Sequence, residues 1–416
     1  MNKKIRVDVT VFLIVAAIII SCLATTFIIN AKIGNLTEVQ AAFSKIKNID
    51  DLVNEHYIGA IDSETLANAV AKGYIAGLGD TYAYYYSKDE YRAYQAQITG
   101  QYEGIGLTVV WVDNVGLEVT HVSKGSPAET AGVRIGDIIT MVDNISVLTL
   151  GHDDAVSKLT GTVGTVANFT VSRNGETQVF SVMRSQYEQV TVEYKKLGTI
   201  GYVKITGFNN LTGDYFGQAI DDLETQGVSA FIFDVRNNPG GTIDSVVECV
   251  DRLIGKGAVA TAVRKDTGDG ANKTVYEAVT KQEVTVPMVV LADQNTASGG
   301  ELFTAALMDY DKAVMIGEST YGKGTGQTTY KLPDGSYLKI TDFTYYPPSG
   351  TSYQLIGLSP DTRVTLTDEQ LANRYTMAYA NDPYMIAACE ALGVDVGVLA
   401  EEQYENSDIV EGGEES

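Results

Sequence analysis

The chain has 416 residues, a formal net charge of −23, 44% hydrophobic residues and 9% aromatic residues. That charge argues against a nucleic-acid partner and suits a secreted body kept soluble by self-repulsion, and the length allows two or three domains with real cores. Three cysteines (Cys22, Cys249, Cys389) and three histidines (His56, His121, His152) are too scattered for a disulfide framework or a metal site, so neither metal nor cofactor is expected.

Lys3, Lys4 and Arg6 precede an almost unbroken apolar run over residues 9–29. Its length is about what a helix needs to cross a bilayer, and the basic flank predicts residues 1–8 in the cytoplasm with the body outside. No small-x-small site closes the run, so a retained signal-anchor is expected rather than a cleaved leader. Ile19-Ile-Ser-Cys22 is only loosely like a lipoprotein box, because the run continues past the cysteine. Over residues 36–99, Leu52, Val53, Tyr57, Leu66, Val70, Tyr74, Ile75 and Leu78 recur at threes and fours, which predicts a helical domain broken at Gly77-Leu-Gly-Asp80. Tyr82, Tyr84, Tyr85, Tyr86, Tyr91 and Tyr94 then form a dense cluster, read as packing of that domain against its neighbour.

Residues 100–186 open on Tyr102-Glu-Gly104-Ile105-Gly106-Leu107. Two glycines around one apolar residue let consecutive N–H groups form a concave nest for an anion, with Ile105 and Leu107 beside it. Ser126-Pro127 starts a helix, Gly132 stops it, and Gly136-Asp137 turns into a strand. This unit resembles a bacterial PDZ domain, which implies capture of a chain's C-terminus by strand addition with the carboxylate held in the nest. It departs from the related pattern at Thr160, where a basic residue is common.

Beyond residue 186 strand-like and helix-like runs alternate. Ile200 to Ile205 leads to a helix near 214–226, and Ala230 to Val235 leads through Asn-Asn-Pro-Gly240-Gly241 to a helix over 243–254. Such alternation predicts a mostly parallel sheet with its loops gathered at the strands' C-terminal ends. Pro239-Gly-Gly by itself is an ordinary strand-to-helix turn. Met288 to Ala292 is a further strand, and Ser298 follows just where Glu301-Leu-Phe-Thr-Ala-Ala-Leu-Met308 takes up helical spacing. Ser298 therefore sits at a helix N-terminus, where free N–H groups and the helix dipole favour an anion, though Glu301 three residues on also fits a simple capping box. Lys323 in Gly322-Lys-Gly-Thr-Gly is a base suited to a serine with no histidine nearby, provided burial lowers its pKa. Gly317-x4-Gly322-Lys323 mimics a phosphate-binding loop, but Gly324 and the β-rich run from Gln327 stand where a hydroxyl and a helix are needed. A helical stretch within 371–400 and an acidic tail over 401–416, expected to be disordered, close the chain.

Thr296-Ala-Ser298-Gly-Gly-Glu, Gly317-Glu-Ser-Thr-Tyr-Gly-Lys323-Gly-Thr-Gly-Gln327, Asp234-Val-Arg-Asn-Asn-Pro-Gly-Gly241 and Gly357-Leu-Ser-Pro-Asp361 together resemble the carboxyl-terminal processing peptidases, tail-specific serine peptidases with a Ser-Lys dyad. The resemblance implies a multidomain α/β chain: a helical N-terminal region that can carry homodimer contacts, a PDZ domain, and a crotonase-like peptidase core over 187–370. It implies Ser298 as nucleophile, Lys323 as base and Gln327 as third catalytic position, with oxyanion N–H groups from Gly299 and from Gly240 or Gly241. The expected activity is endopeptidase cleavage of proteins with free, apolar C-termini. The rival from another class is a catalytically silent receptor or scaffold that binds C-terminal tails through the PDZ domain. A trypsin-like protease with a PDZ domain fails on motif order.

Overall fold

A computed structural model of the chain describes residues 36–265, 272–280, 283–373 and 377–400, with isolated positions at 20, 21 and 25. The expected anchor over 9–29, Cys22 within it and the acidic tail over 401–416 lie outside the described residues, apart from those three positions. Among the described residues no helix is long and apolar enough to cross a membrane. The chain divides into two units, Met1–Val70 and Ala71–Ser416. In the first, the helix Leu36–His56 carries an i,i+4 ion pair from Lys47 to Asp51 at 2.7 Å and exposes Phe43, Ile49 and Leu52.

The larger unit is built round a six-stranded sheet in the order Val192–Leu197, Ile200–Ile205, Ala230–Asp234, Met288–Ala292, Ala313–Gly317 and Thr362–Arg363. Only the first pair is antiparallel. The two middle strands are buried at every residue, which is why they read as continuous apolar runs rather than alternating ones. Phe231, Phe233 and Val290 face helices Thr212–Thr225, Ile243–Ile254 and Gly299–Asp309. Ile232, Val289 and Leu291 face the other way, against Tyr384, Met385, Ala388 and Cys389 of helix Pro383–Leu392. The C-terminal helix, read from the sequence as a helical stretch within 371–400, is part of the core and covers the sheet's second face. Cys249 and Cys389 are buried, unpaired thiols.

The same helix is pinned by charge. Arg236 pairs with Asp234 at 2.6 Å and with Asp382, the helix N-cap, at 2.7 Å, all three buried, and its guanidinium lies over the Tyr384 ring. Burial works against the Asp234 carboxylate, but the Arg236 charge and hydrogen bonds hold its pKa below the ordinary value. Removing one partner of such a pair strands the other without solvent and typically costs about 3–5 kcal/mol.

A second, antiparallel sheet is organised by Tyr337–Tyr346, which pairs with Tyr84–Tyr86, Thr325–Lys331 and Gly257–Arg264. Tyr84–Tyr86 was expected to belong to a helical packing surface; it is instead a strand of this sheet, and Tyr91 stacks on Tyr337 at 3.4 Å. The run after Lys323 is likewise a strand, so the phosphate-loop reading fails on structure as well.

A third sheet runs Leu107–Val112, Gly116–Val122, Ile138–Val142, Val166–Arg173 and Glu176–Met183, with helices Pro127–Thr130 and His152–Leu159. Ser126 caps the first helix by accepting from Glu129 N, and Asp137, almost fully buried, is held by Arg173 at 2.6 Å. Gln101–Gly104 pairs with Ser185–Glu188 as a ribbon at the sheet's two chain ends. At Thr160 no basic side chain is present; Arg184 instead donates to the carbonyls of Lys158 and Leu159 and closes the end of that helix.

Candidate active site

Ser298 occupies φ 53°, ψ −112°, immediately before helix Gly299–Asp309. A left-handed φ on a non-glycine residue stores about 1–3 kcal/mol of strain and persists only where surrounding contacts over-determine it. Those contacts are on hand. Thr296 Oγ1 donates to Val235 O at 2.8 Å, Ala297 N donates to Asn238 O at 2.9 Å, and Asn237 N donates to Asp293 Oδ1 at 3.0 Å. They lace the serine turn to the Asn-Asn-Pro-Gly-Gly turn at the ends of adjacent parallel strands.

Gly240 and Gly241 have φ 97° and 155° and pack directly on the serine turn: a Cβ at Gly240 would lie 2.6 Å from Gly299 N and 2.7 Å from Ser298 Cβ. The two glycines are not equivalent. Gly240 N donates to Asn238 Oδ1 at 2.8 Å, which occupies it. Among the described residues the N–H groups of Gly241 and Gly299 have no hydrogen-bond partner. Of the oxyanion candidates, Gly241 and Gly299 are available and Gly240 is not.

Lys323 follows the buried Gly322 and lies in the loop ahead of the strand Thr325–Lys331; a sequence spacing of four could also have put it on one strand with Gln327, but it does not. Lys323 Nζ nevertheless donates to Gln327 Oε1 at 3.1 Å, and Gln327 Nε2 donates to Thr341 Oγ1 at 3.1 Å. Burial lowers the Lys323 pKa from 10.5, and the neighbouring cation Lys339 lowers it further, while Asp80 and Glu301 pull it up. Ser298, Gly240, Gly241, Lys323, Gln327 and Tyr345 line one cleft of 690 Å³. The hydrogen bond at Nζ runs to Gln327, not to Ser298.

Two further residues join these parts. Glu301, fully buried, does more than cap its helix: its carboxylate accepts from Ser298 N at 2.9 Å, Thr320 Oγ1 at 2.5 Å, Gly322 N at 2.7 Å and Lys323 N at 2.8 Å. One carboxylate thus clamps the serine turn to the lysine loop. The Tyr345 hydroxyl donates to Lys323 O at 2.5 Å and lies 3.4 Å from Ser298 Oγ. Glu301 was visible as part of the motif but its long-range partners were not; Tyr345 lies in a strand with no local signal. The Gly357-Leu-Ser-Pro element backs the lysine loop through Leu358 N, which donates to Thr320 Oγ1 at 2.7 Å.

The candidate carboxylate nest is only partly as read. Gly104 and Gly106 take positive φ, and the N–H groups of Ile105 and Gly106 have no partner among the described residues. Ile105 is 5% exposed and its side chain belongs to the core of this unit, with Leu107 packed partly against the same core. The Leu107–Val112 strand is an edge of its sheet.

A nucleophile candidate at a helix start, a half-buried amine and two N–H groups without partners among the described residues thus gather at one cleft. Peptidase family S41 matches residues 199–364 and the PDZ domain matches residues 95–171. Proteins described as "Probable CtpA-like serine protease" are similar over most of the chain: that of Staphylococcus aureus strain MSSA476 is 32% identical over 368 residues, spanning 88% of this chain and 74% of that protein. The one from Staphylococcus epidermidis is 31% identical over 355 residues, spanning 85% and 72%. A solved structure assigned to the S41 proteases, from Bacteroides fragilis, shares the fold at TM-score 0.51 with 18% identity, covering 81% of this chain and 92% of that one. The chain belongs to the CtpA-like S41 serine peptidases and carries a PDZ domain. It is an enzyme, and the catalytically silent scaffold gives way to that membership.

Proposed function

We propose that the protein is a membrane-anchored, extracellular C-terminal processing endopeptidase that works through Ser298 and Lys323. The observation that carries this reading is the strained Ser298 facing the same cleft as a half-buried lysine, with the Gly241 and Gly299 N–H groups unoccupied beside it. Neutral Lys323 takes the Ser298 hydroxyl proton as Oγ bonds to the substrate's carbonyl carbon. The oxyanion accepts from Gly241 and Gly299, and the lysine returns the proton to the leaving amine as the C–N bond breaks. Water then attacks the acyl-enzyme, passing its proton to Lys323 and on to Ser298 Oγ. Nζ must turn from Gln327 towards Ser298 for the first transfer, with Gln327 limiting how far it strays.

Substrate C-termini would add as a strand to the open edge of Leu107–Val112, with the carboxylate at the Ile105 and Gly106 N–H groups. Full-length protein in detergent should cleave an unfolded substrate with a free apolar C-terminus and cleave its C-terminally amidated form several-fold more slowly. Equal rates on the two forms count against tail capture, and no cleavage of either counts against the peptidase assignment.

The three basic residues ahead of the 9–29 run support an outward-facing body. Protease added to intact protoplasts should digest it, whereas a body protected alongside a cytoplasmic marker would overturn this placement.

A further inference from the structure

The turn at Asp80–Tyr86 reaches Lys323 from a segment that no catalytic motif includes. Tyr82 N donates to Asp80 Oδ1 at 2.9 Å, and Tyr84–Tyr86 pairs in register with Tyr337, Leu338 and Lys339 of the strand that also carries Thr325–Lys331. Tyr82 is thereby fixed to the sheet that the lysine loop enters. Its hydroxyl lies 3.3 Å from that of Tyr321, two residues before the lysine, and its ring centroid is 4.2 Å from Lys323 Nζ. With Gln327 Oε1 at 3.1 Å, the ammonium is in contact with both the Gln327 amide and the Tyr82 ring.

We propose that Tyr82 is a positioning residue for Lys323, whose ring both shields the amine from water and holds its protonated form in place between turnovers. This rests on Lys323 being the base. The two actions oppose each other: excluding water favours the neutral amine, whereas the negative face of the ring favours the ammonium. The other charged and titratable groups about Lys323 are Lys339, Asp80 and Glu301, with Tyr321 and Tyr345 in contact with its loop. Of these, Tyr321 loses the Tyr82 hydroxyl equally in the Leu, Ala and Phe variants, so comparisons among the three separate the two actions.

The test is the acid limb of kcat/KM against pH for the full-length protein in detergent, measured on a short unstructured peptide whose C-terminus is amidated to bypass tail capture. Tyr82→Leu keeps water out but removes the ring face, so the limb should move to lower pH by about half a unit. Tyr82→Ala admits water and should move it up, towards the ordinary lysine range. Tyr82→Phe keeps the ring and should keep the limb where it is. A Tyr82 that only packs would lower the rate without moving the limb, and coincident limbs in Leu and Phe variants overturn the proposal even if the Ala variant does not fold. If Lys323→Arg still turns over, the base assignment fails instead, and that outcome is separate from any Tyr82 profile.

Discussion

Lys323→Arg is expected to fold normally and to lose turnover by on the order of 10⁴-fold or more, the scale seen when one member of a catalytic unit is removed. Arginine keeps the charge and most of the reach but does not give up its proton in proteins, so it cannot accept one from Ser298. Ser298→Ala should lose as much, and the double variant should be scarcely worse than either, because residues that act as a unit are not additive. The pH dependence follows from the direction of the Lys323 shift. Burial and Lys339 lower its pKa from 10.5, so the neutral, active amine accumulates as pH rises through the lowered value, and the wild-type rate climbs with it. In stability terms the sign is the same. Between the lowered pKa and 10.5 the unfolded chain still binds a proton that the folded one has released, so stability rises with pH across that window, and the penalty is complete below it. Single-turnover rates with each purified variant decide the matter: a folded, contaminant-free Lys323→Arg protein cleaving at near the normal rate would show that another group is the base.

Glu301→Gln should also be damaging, although less so and although it touches no substrate. Its two oxygens accept from four donors, Ser298 N and Lys323 N on Oε2, Thr320 Oγ1 and Gly322 N on Oε1. An amide turns one of those oxygens into a donor, so two N–H or O–H groups would meet an NH₂ inside a site from which water is excluded. Leaving such groups unpaired costs about 1–3 kcal/mol or more, and the serine turn and lysine loop would lose their common tie. A displacement of about 1 Å between reacting groups is enough for a loss of about 10²-fold. The expected result is a kcat lower by about that factor with KM little changed, together with a lower urea midpoint. An unchanged kcat in Glu301→Gln would mean that the clamp does not set the catalytic geometry.

Much of this architecture was written in local pattern. Continuous apolar runs at Ala230–Asp234 and Met288–Ala292 could only be strands buried on both faces, and their alternation with helices called for a parallel sheet. Ser298, Lys323, Gly241 and Gly299 were named from motifs whose glycines and spacing reflect backbone demands, and those demands are local. What local pattern did not show lies where partners are distant in sequence. Tyr84–Tyr86 became a strand because an edge of Tyr337–Tyr346 was there to pair with, and Pro383–Leu392 became core because the sheet's second face was otherwise uncovered.

By itself, then, the sequence determined the class of machinery: a serine at a helix start, a lysine in a glycine loop, a glycine turn at a strand end, and a PDZ-like unit ahead of them. Only the tertiary structure decided which glycine N–H remains free, since Asn238 claims that of Gly240. It also decided that Glu301 binds both halves of the site and that Tyr82, some 240 residues before the lysine, covers its ammonium. The physical reason is common to these cases. Backbone conformation is fixed by a few neighbouring residues, whereas the pairing of a buried donor, carboxylate or cation depends on whatever the fold brings within about 3–4 Å of it.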